Sequence, residues 1–170
     1  MEPTKNNSSS RKLGIMKSVL VKVSGDLYDS ESFITEIGKL AEKYFVVICV
    51  GGGKQINEAF VKVGIPISKH GLLGRQASSL QERQLARDVL EDNKARLQGL
   101  LAEKKIPAVV IIPVLDIGSV LCHVNGDQFL KTAYLGFDHL CVVTTPDRKE
   151  KKAQEFADFP KIEILTVTPD

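Results

Sequence analysis

Three short segments of this chain carry residue types that bind small anions, and each lies at the end of a predicted strand. Lys22–Gly25 ends the first strand, Gly51–Gly53 ends the second, and His123–Asp127 follows a short strand and precedes a helix. In parallel α/β sheets, ligands bind where strands end and helices begin. The three segments therefore predict one binding site at the carboxyl edge of a sheet.

The run of Gly51, Gly52 and Gly53 is the most informative of the three segments. Residues without Cβ let a ligand approach the backbone closely, and their N–H groups can point at it. The helix that we expect to begin at Lys54 adds the positive end of its dipole, which suits a phosphate or a carboxylate. A tight strand-to-helix turn without a ligand is the alternative. Neither the Rossmann nor the Walker pattern is present.

Lys22 interrupts a strand that is otherwise apolar. Burying a lysine is costly unless an anionic group meets it, so its position favours an anion beside it. The alternative is a lysine on an edge strand with its ammonium group in water.

The third segment offers His123, Asn125 and Asp127. Asp127 and Asn125 can simply cap the following helix, or Asp127 can position lysines or a ligand group. A histidine has an ordinary pKa near 6.5, which suits acid–base chemistry or phosphate binding, although His123 can equally be a hydrogen-bonded structural residue. We expect His70 and His139 to be structural or surface residues.

The elements that position these segments alternate between strand and helix. Near-continuous apolar strands separated by helices predict a mostly parallel sheet that is covered on both faces. The fold class is therefore α/β, a three-layer αβα sandwich, in which we expect residues 119–124 to pair antiparallel at one side. Strands are predicted at 19–23, 45–50, 108–114, 119–124, 140–144 and 162–167, and helices at about 33–44, 54–63, 79–104, 127–135 and 148–157.

Length and composition indicate one globular domain. The chain has 170 residues, of which 43% are hydrophobic and 26% charged, and its formal net charge is +2. We interpret residues 1–16 as a flexible tail and 17–170 as a single domain. The basic residues are dispersed, which argues against nucleic-acid binding. No segment is suited to span a membrane or to act as a secretory signal, so we expect a cytoplasmic protein.

Cysteine and histidine content predicts no structural metal. The three cysteines lie in separate apolar runs, without the spacing of a metal site or a disulfide framework. We expect three buried, reduced thiols.

The order of these motifs resembles the amino acid kinase family, most closely the acetylglutamate kinases. The resemblance covers roughly residues 18–145 and is carried by three segments: VLVKVSG, CVGGGKQINEAFVKVGI and HVNGDQFLKTAYLGFDHLCVVTT. It implies the amino-terminal domain of that family, with ATP and Mg²⁺ as cofactors of an active member. It also implies a small anionic metabolite as acceptor.

The resemblance also implies a role for each matching residue. Lys22 contacts the transferring phosphoryl group and Asp127, with Asn125 beside it, organises the catalytic lysines. Ser24 and Gly25 lie against nucleotide phosphates. The acceptor is held by the three glycines Gly51, Gly52 and Gly53 and by Asn125. Two further acceptor positions differ from the family: His123 stands where the family has an asparagine, and Arg75 stands two residues after the position of a family arginine.

The chain departs from the family pattern at several positions. Only a short predicted helix and strand follow Thr144, where family members continue into a half that binds the nucleotide base and supplies a second catalytic lysine. The family's Asp-Val-x-Gly is replaced by residues 145–148. Val50 stands in place of a histidine and His123 in place of an asparagine. The acceptor-binding cradle is therefore better matched than the kinase machinery.

Three functions remain open on these grounds. The first is a protein that binds a small anionic metabolite with reduced or no phosphotransferase activity. The second is a minimal kinase, active alone or completed by a partner subunit, that phosphorylates a carboxylate or phosphate. The third is a structural subunit of an assembly. Family members are commonly oligomeric, so a homo-oligomer or a complementing subunit is expected in each case.

Overall fold

The computed structural model describes residues 16–170, so that the expected tail lies, apart from Met16, outside the described residues. Strands and helices alternate through most of this range. The strands are β1 (Ser18–Val23), β2 (Phe45–Val50), β3 (Ala108–Ile111), β4 (Val114–Ile117), β5 (Val120–His123), β6 (His139–Thr144) and β7 (Ile162–Thr166). The helices are α1 (Glu31–Ala41), α2 (Gly53–Lys62), α3 (Leu80–Glu103), α4 (Gly126–Thr132) and α5 (Lys149–Glu155).

Five strands form one parallel sheet in the order β3-β2-β1-β6-β7, which confirms the predicted α/β fold class. Strands β2 and β3 lie on one side of β1, and strands β6 and β7, which come later in the chain, lie on the other side of β1. Strand order therefore reverses between β1 and β6. Loops diverge at such a point, and a crevice opens at the carboxyl ends of the strands.

Helices cover both faces of the sheet, as the three-layer sandwich requires. The alternation of side chains in β1 sends Val19, Val21 and Val23 to one face, where they pack with α1 and the second half of α3. Leu20 points to the other face and packs in a cluster that includes Leu130 of α4 and the buried Phe156 directly after α5. Helix α2 packs against the first half of α3.

The predicted strand at residues 108–114 is wrong in its extent. Strand β3 ends at Ile111, and Val114 already belongs to β4, which pairs antiparallel with β5 in a separate two-stranded sheet. Pro113 lies between them and has no N–H group to donate to a ladder. The antiparallel pairing expected for residues 119–124 is present, but in this hairpin rather than at the side of the main sheet.

The buried stripe of α3 contains Ala86, Leu90 and Leu97, whereas Leu85 and Val89 are only partly buried. A polar residue, Asn93, also lies in the buried stripe.

The side chain of Gln98 in α3 occupies the outer edge of β3. Its Nε2 donates to the carbonyl of Ala108 at 3.1 Å, and its Oε1 accepts from the N–H of Val110 at 3.2 Å. Exposed strand edges are templates for pairing with another chain. Gln98 thus satisfies backbone groups that an added strand would need.

Two of the three cysteines match the expectation of buried thiols. Cys49 and Cys141 are buried, and burial raises the pKa of each to about 12, which keeps both protonated. Cys122 in β5 is only half-buried, because the hairpin lies outside the main sheet. Within residues 16–170, no helix has the length and apolar character that crossing a bilayer requires.

Candidate anion-binding site

A cleft of about 340 Å³ opens at the carboxyl ends of β1 and β2. Helix α2 begins on one side of it, and the turn between β5 and α4 lies on the other. All ten residues singled out in the sequence line this one cleft: Lys22, Ser24, Gly25, Gly51, Gly52, Gly53, Arg75, His123, Asn125 and Asp127. The fold therefore brings together segments that are more than a hundred positions apart in the chain.

Lys22 lies in the central strand of the sheet, between β2 and β6, so an edge-strand lysine in water is ruled out. Its ammonium Nζ is 3.2 Å from Asp127 Oδ1, and only 16% of its side chain is exposed. A Cβ on Gly126 would lie 2.9 Å from Lys22 Cε. Because Gly126 has no side chain, the aliphatic part of Lys22 can pass the start of α4 and reach the cleft.

A second lysine, which sequence reasoning missed, holds the other oxygen of the same carboxylate. Lys152 of α5 places its Nζ 2.6 Å from Asp127 Oδ2 and 2.6 Å from a carboxylate oxygen of Glu155. Asn125, not Asp127, caps α4: its side chain accepts from the backbone N–H of Asp127 at 2.8 Å. The carboxylate of Asp127 is therefore free to lie between the two lysines.

The protonation states in this cluster follow from its charges. Burial acts to raise the pKa of Asp127, but Lys22 and Lys152 outweigh it and hold that pKa below its usual value. Burial likewise acts to lower the pKa of Lys152, whereas its hydrogen bonds to Asp127 and Glu155 raise it above the ordinary value. Asp127 is thus ionised and Lys152 is protonated at neutral pH.

The three consecutive glycines have different structural roles. The N–H of Gly51 donates to the carbonyl of Val23 at 2.9 Å, so it is not available to a ligand. A Cβ on Gly52 would lie 2.7 Å from Asn93 Nδ2 and 3.0 Å from Leu90 Cδ2. Gly52 is therefore required for the packing of the loop against α3, where Asn93 Nδ2 donates to the carbonyl of Gly51 at 3.1 Å.

Gly53 is the glycine that faces open space. No heavy atom lies within 4 Å of the position of an added Cβ, and the residue is exposed at the start of α2. Gly52 is the N-cap of α2 and has no side chain that could accept a hydrogen bond. The N–H groups of the first turn of α2 therefore lack an acceptor within the helix. These donors and the positive end of the dipole of α2 face the cleft at Gly53.

Ser24 and Gly25, expected beside nucleotide phosphates, lie in the turn after β1. Gly25 is buried: a Cβ there would lie 2.8 Å from Gly52 Cα, and Gln55 Nε2 donates to the carbonyl of Gly25. The absence of a side chain at Gly25 thus lets the loops after β1 and β2 meet. The side chain of Gln55 covers the place where a phosphate would approach Gly25.

Arg75 points into the protein rather than into the cleft. Only 9% of it is exposed, and its guanidinium donates to the side chains of Asn57 and Ser68 at 2.8 and 3.2 Å. It also donates to the carbonyl of Gly53 at 3.3 Å. In this arrangement Arg75 anchors the start of α2, and only indirectly supports the binding of an anion there.

His123 contributes a hydrogen-bond acceptor to a cleft that is otherwise rich in donors. Its Nε2 lies 2.9 Å from the carbonyl of Arg83, and since a carbonyl only accepts, Nε2 carries the proton. Burial lowers the pKa of His123 and the nearby arginines lower it further, while the bond to Arg83 partly offsets them. The ring is therefore neutral at pH 7, with a lone pair on Nδ1.

No family model matches this chain, and no curated protein matches it. Among residues 16–170, no group of three or more histidine, cysteine, aspartate or glutamate residues is arranged to hold a metal ion. The chemistry of the cleft therefore has to be inferred from its own residues: Lys22 and Lys54, the carboxylates of Asp127 and Asp26, an uncapped helix and a neutral histidine. Lys152 contacts Asp127 but is not among the residues that line the cleft.

Substitution of Gly52 and Gly53 by alanine should change stability by different amounts. We expect Gly52→Ala to lower the free energy of unfolding by about 1–3 kcal/mol, because its Cβ overpacks against Asn93 and Leu90. Gly53→Ala should change it by less than about 1 kcal/mol, since its Cβ meets nothing and alanine favours the helix. Urea denaturation measures both. A Gly53→Ala variant as unstable as Gly52→Ala would contradict this assignment.

The lowered pKa of His123 predicts a loss of stability in mild acid. Below about pH 6.5 the unfolded chain gains a proton that the folded protein resists, so the free energy of unfolding falls until the folded pKa is passed. We expect His123→Gln to reduce this slope in urea denaturation between pH 7.5 and 5. His70, whose pKa burial also lowers, contributes in the same direction. A His123 NMR resonance that titrates at or above 6.5 would refute the assignment.

Proposed function

We propose that this chain is an amino-acid-kinase-like domain that binds a small anionic metabolite, a carboxylate or a phosphate, with little or no phosphotransferase activity of its own. The observation that carries the proposal is the convergence of Lys22 and Lys152 on the single carboxylate of Asp127. Glu155, the second carboxylate at Lys152, is more exposed than Asp127. Two largely buried ammonium groups that share one buried carboxylate favour a further anion.

The start of α2 supplies the other half of the proposed site. Gly53 combines open space with uncapped N–H donors, and the exposed Lys54 beside it also lines the cleft. An anion in the cleft that contacts this turn and Lys22 replaces water with charge-assisted hydrogen bonds, which are about twice as strong as neutral ones. Neutral His123 offers an acceptor for an N–H or O–H group elsewhere on the ligand.

Phosphoryl transfer is the second candidate, and Lys152 is the observation that favours it. Catalysis of phosphoryl transfer consists mainly of positioning and charge stabilisation, for which two lysines oriented by one aspartate are suited. The family resemblance assigns the second lysine to the carboxyl-terminal half of the family's members, whereas here Lys152 reaches Asp127 from α5. ATP with Mg²⁺ would be the phosphoryl donor in this case.

The residues expected to hold a nucleotide do not fit one in the observed arrangement. Gln55 covers Gly25, and its Nε2 is bonded to the carbonyl of Gly25. The Oε1 atom of Gln55 is buried without a hydrogen-bond partner in the described residues, and it occupies the space beside Gly25 where a phosphate oxygen would lie. Binding of an anion without turnover is therefore the function that we put first.

Titration calorimetry tests the proposed site directly. We expect inorganic phosphate, or a member of a panel of acidic amino acids and nucleoside monophosphates, to bind saturably. Lys22→Met and Lys152→Met should each weaken binding by about tenfold or more, because each removes a charge-assisted contact. Lys39→Met, at an exposed lysine paired with Glu36 in α1, is the matched control and should have no effect.

The outcomes separate the two candidates. Absence of saturable binding by every anion, or binding that is unchanged in both lysine variants, would refute the proposal. Hydrolysis or transfer from ATP with Mg²⁺ that is lost in Lys22→Met and in Lys152→Met would replace it with the kinase.

Removal of the shared carboxylate should make stability depend on anions. Asp127→Asn leaves Lys22 and Lys152 facing one another, and we expect it to lower the free energy of unfolding by about 2 kcal/mol. Added phosphate should restore stability, and by more than it stabilises the native protein, since Lys22 then lacks its carboxylate partner and Lys152 keeps only Glu155. Thermal denaturation with and without phosphate measures this.

The control is Asp88→Asn, which removes an exposed carboxylate paired with Arg87. It should change neither stability nor its phosphate dependence. Equal stabilisation of Asp127→Asn and the native protein by phosphate would mean that the anion does not bind between the lysines.

A further inference from the structure

A second groove, of about 630 Å³, lies outside the cleft, between the loop at residues 71–77 and the β4–β5 hairpin. The groove shares Arg75, His123 and Val124 with the cleft, but the loop lies between them: the N–H of Asn125 donates to the carbonyl of Leu73 at 2.6 Å, and Gly74 packs directly on the carbonyl of His123. A ligand in the groove need not contact Lys22 or Asp127, which line only the cleft.

The walls of this groove are apolar and open to water. Leu72 and Leu73 at one side are 80% and 74% exposed, and the hairpin opposite contributes Leu115, Val120 and Leu121. Apolar side chains that converge on a groove lose contact with water when a ligand covers them, which favours binding. The volume is within the range of small-molecule sites, about 300–1,000 Å³.

The charges in the groove are all of one sign. Arg75 and Arg83 line it, and no aspartate or glutamate does. The guanidinium of Arg75 is already hydrogen-bonded to α2. That of Arg83 makes no salt bridge or hydrogen bond with any residue between 16 and 170, and its Nε is buried without a partner.

Arg83 is therefore the unusual residue of this groove. A buried donor without a partner costs free energy, so such groups are normally hydrogen-bonded in folded proteins. Arg87, one turn further along α3, shows the ordinary arrangement and lies 2.7 Å from the carboxylate of Asp88. Of the two arginines that line the groove, Arg75 has neutral hydrogen-bond partners, whereas the guanidinium of Arg83 has no partner among residues 16–170.

We propose that this groove binds a carboxylate with an apolar body, such as an aliphatic acid of medium length. The carboxylate accepts from the guanidinium of Arg83, and the chain lies against Leu72, Leu73 and the hairpin. The site shares neither lysine with the cleft, so it does not depend on the function proposed above.

Octanoate is the probe, and titration calorimetry on the full chain is the measurement. Octan-1-ol has the chain without the charge, and acetate has the charge without the chain. We expect octanoate to bind with a stoichiometry of one, and both reference compounds to bind at least tenfold more weakly. Absence of saturable octanoate binding, or octan-1-ol that binds as tightly as octanoate, would overturn the proposal.

Substitutions locate the binding within the groove. Arg83→Met should weaken octanoate binding by about tenfold or more, while the matched control Arg87→Met should leave it unchanged. Because Arg83 has no partner among the described residues, Arg83→Met should melt at or above the temperature of the native protein, which separates loss of binding from loss of fold. Unchanged affinity in Arg83→Met would place octanoate elsewhere and overturn the proposal.

A second variant tests the apolar wall. Leu72→Ser combined with Leu73→Ser changes two exposed side chains, so the fold should be retained and octanoate affinity should fall. Analytical ultracentrifugation identifies the competing occupant. A dimer that dissociates in this double variant, together with absence of octanoate binding, would show that a second copy of the chain covers the groove, and would overturn the proposal.

Discussion

The ammonium group of Lys22 constrains much of the structure around it. Lys22 lies next to the carboxyl end of the central strand, in register with buried Cys49 and Val142 on the neighbouring strands. A charge at that position needs a carboxylate, and only an element packed across the end of β1 can supply one. Helix α4 does so, with Gly126 lying against the lysine stem and Asp127 against its ammonium group. The carboxylate of Asp127 also binds Lys152 of α5. The pairing of Lys22 with Asp127 therefore connects β1 to α4 and α5, which lie on the same face of the sheet.

The glycines of the cleft show that one sequence motif can combine separate physical requirements. Gly52 and Gly25 lack side chains because helix α3 and the neighbouring loop come too close, whereas Gly53 lacks one beside open space. Conformation is not the reason, since the backbone of Gly52 is extended, with φ of −170°. In this loop Gly52 is needed for close packing, and only Gly53 is placed to contact a ligand.

Much of the fold and most of the cleft could be predicted from the sequence. Apolar runs in the sequence predicted the buried strands. The residues at the strand ends predicted the cleft, because parallel strands bring their carboxyl ends to one edge of the sheet. Lys152 was missed because it stands among other lysines of a charged helix. Its signal was its spacing: it lies four positions before Phe156, which is buried, so it shares the inward face of α5. Asn93 has a similar signal, three residues after Leu90 and four before Leu97 in the buried stripe of α3.

The amide of Gln98 at the edge of β3 limits how this domain can associate. Open-ended growth by strand addition needs two free edges on every copy, one to receive a neighbour and one to be received. Gln98 occupies the backbone groups of Ala108 and Val110 at one edge, which leaves the β7 side for such pairing. Two copies joined there would close on themselves as a pair, with no edge left to extend a fibre. A single glutamine thus protects the sheet against polymerisation while leaving one side open to a single neighbour.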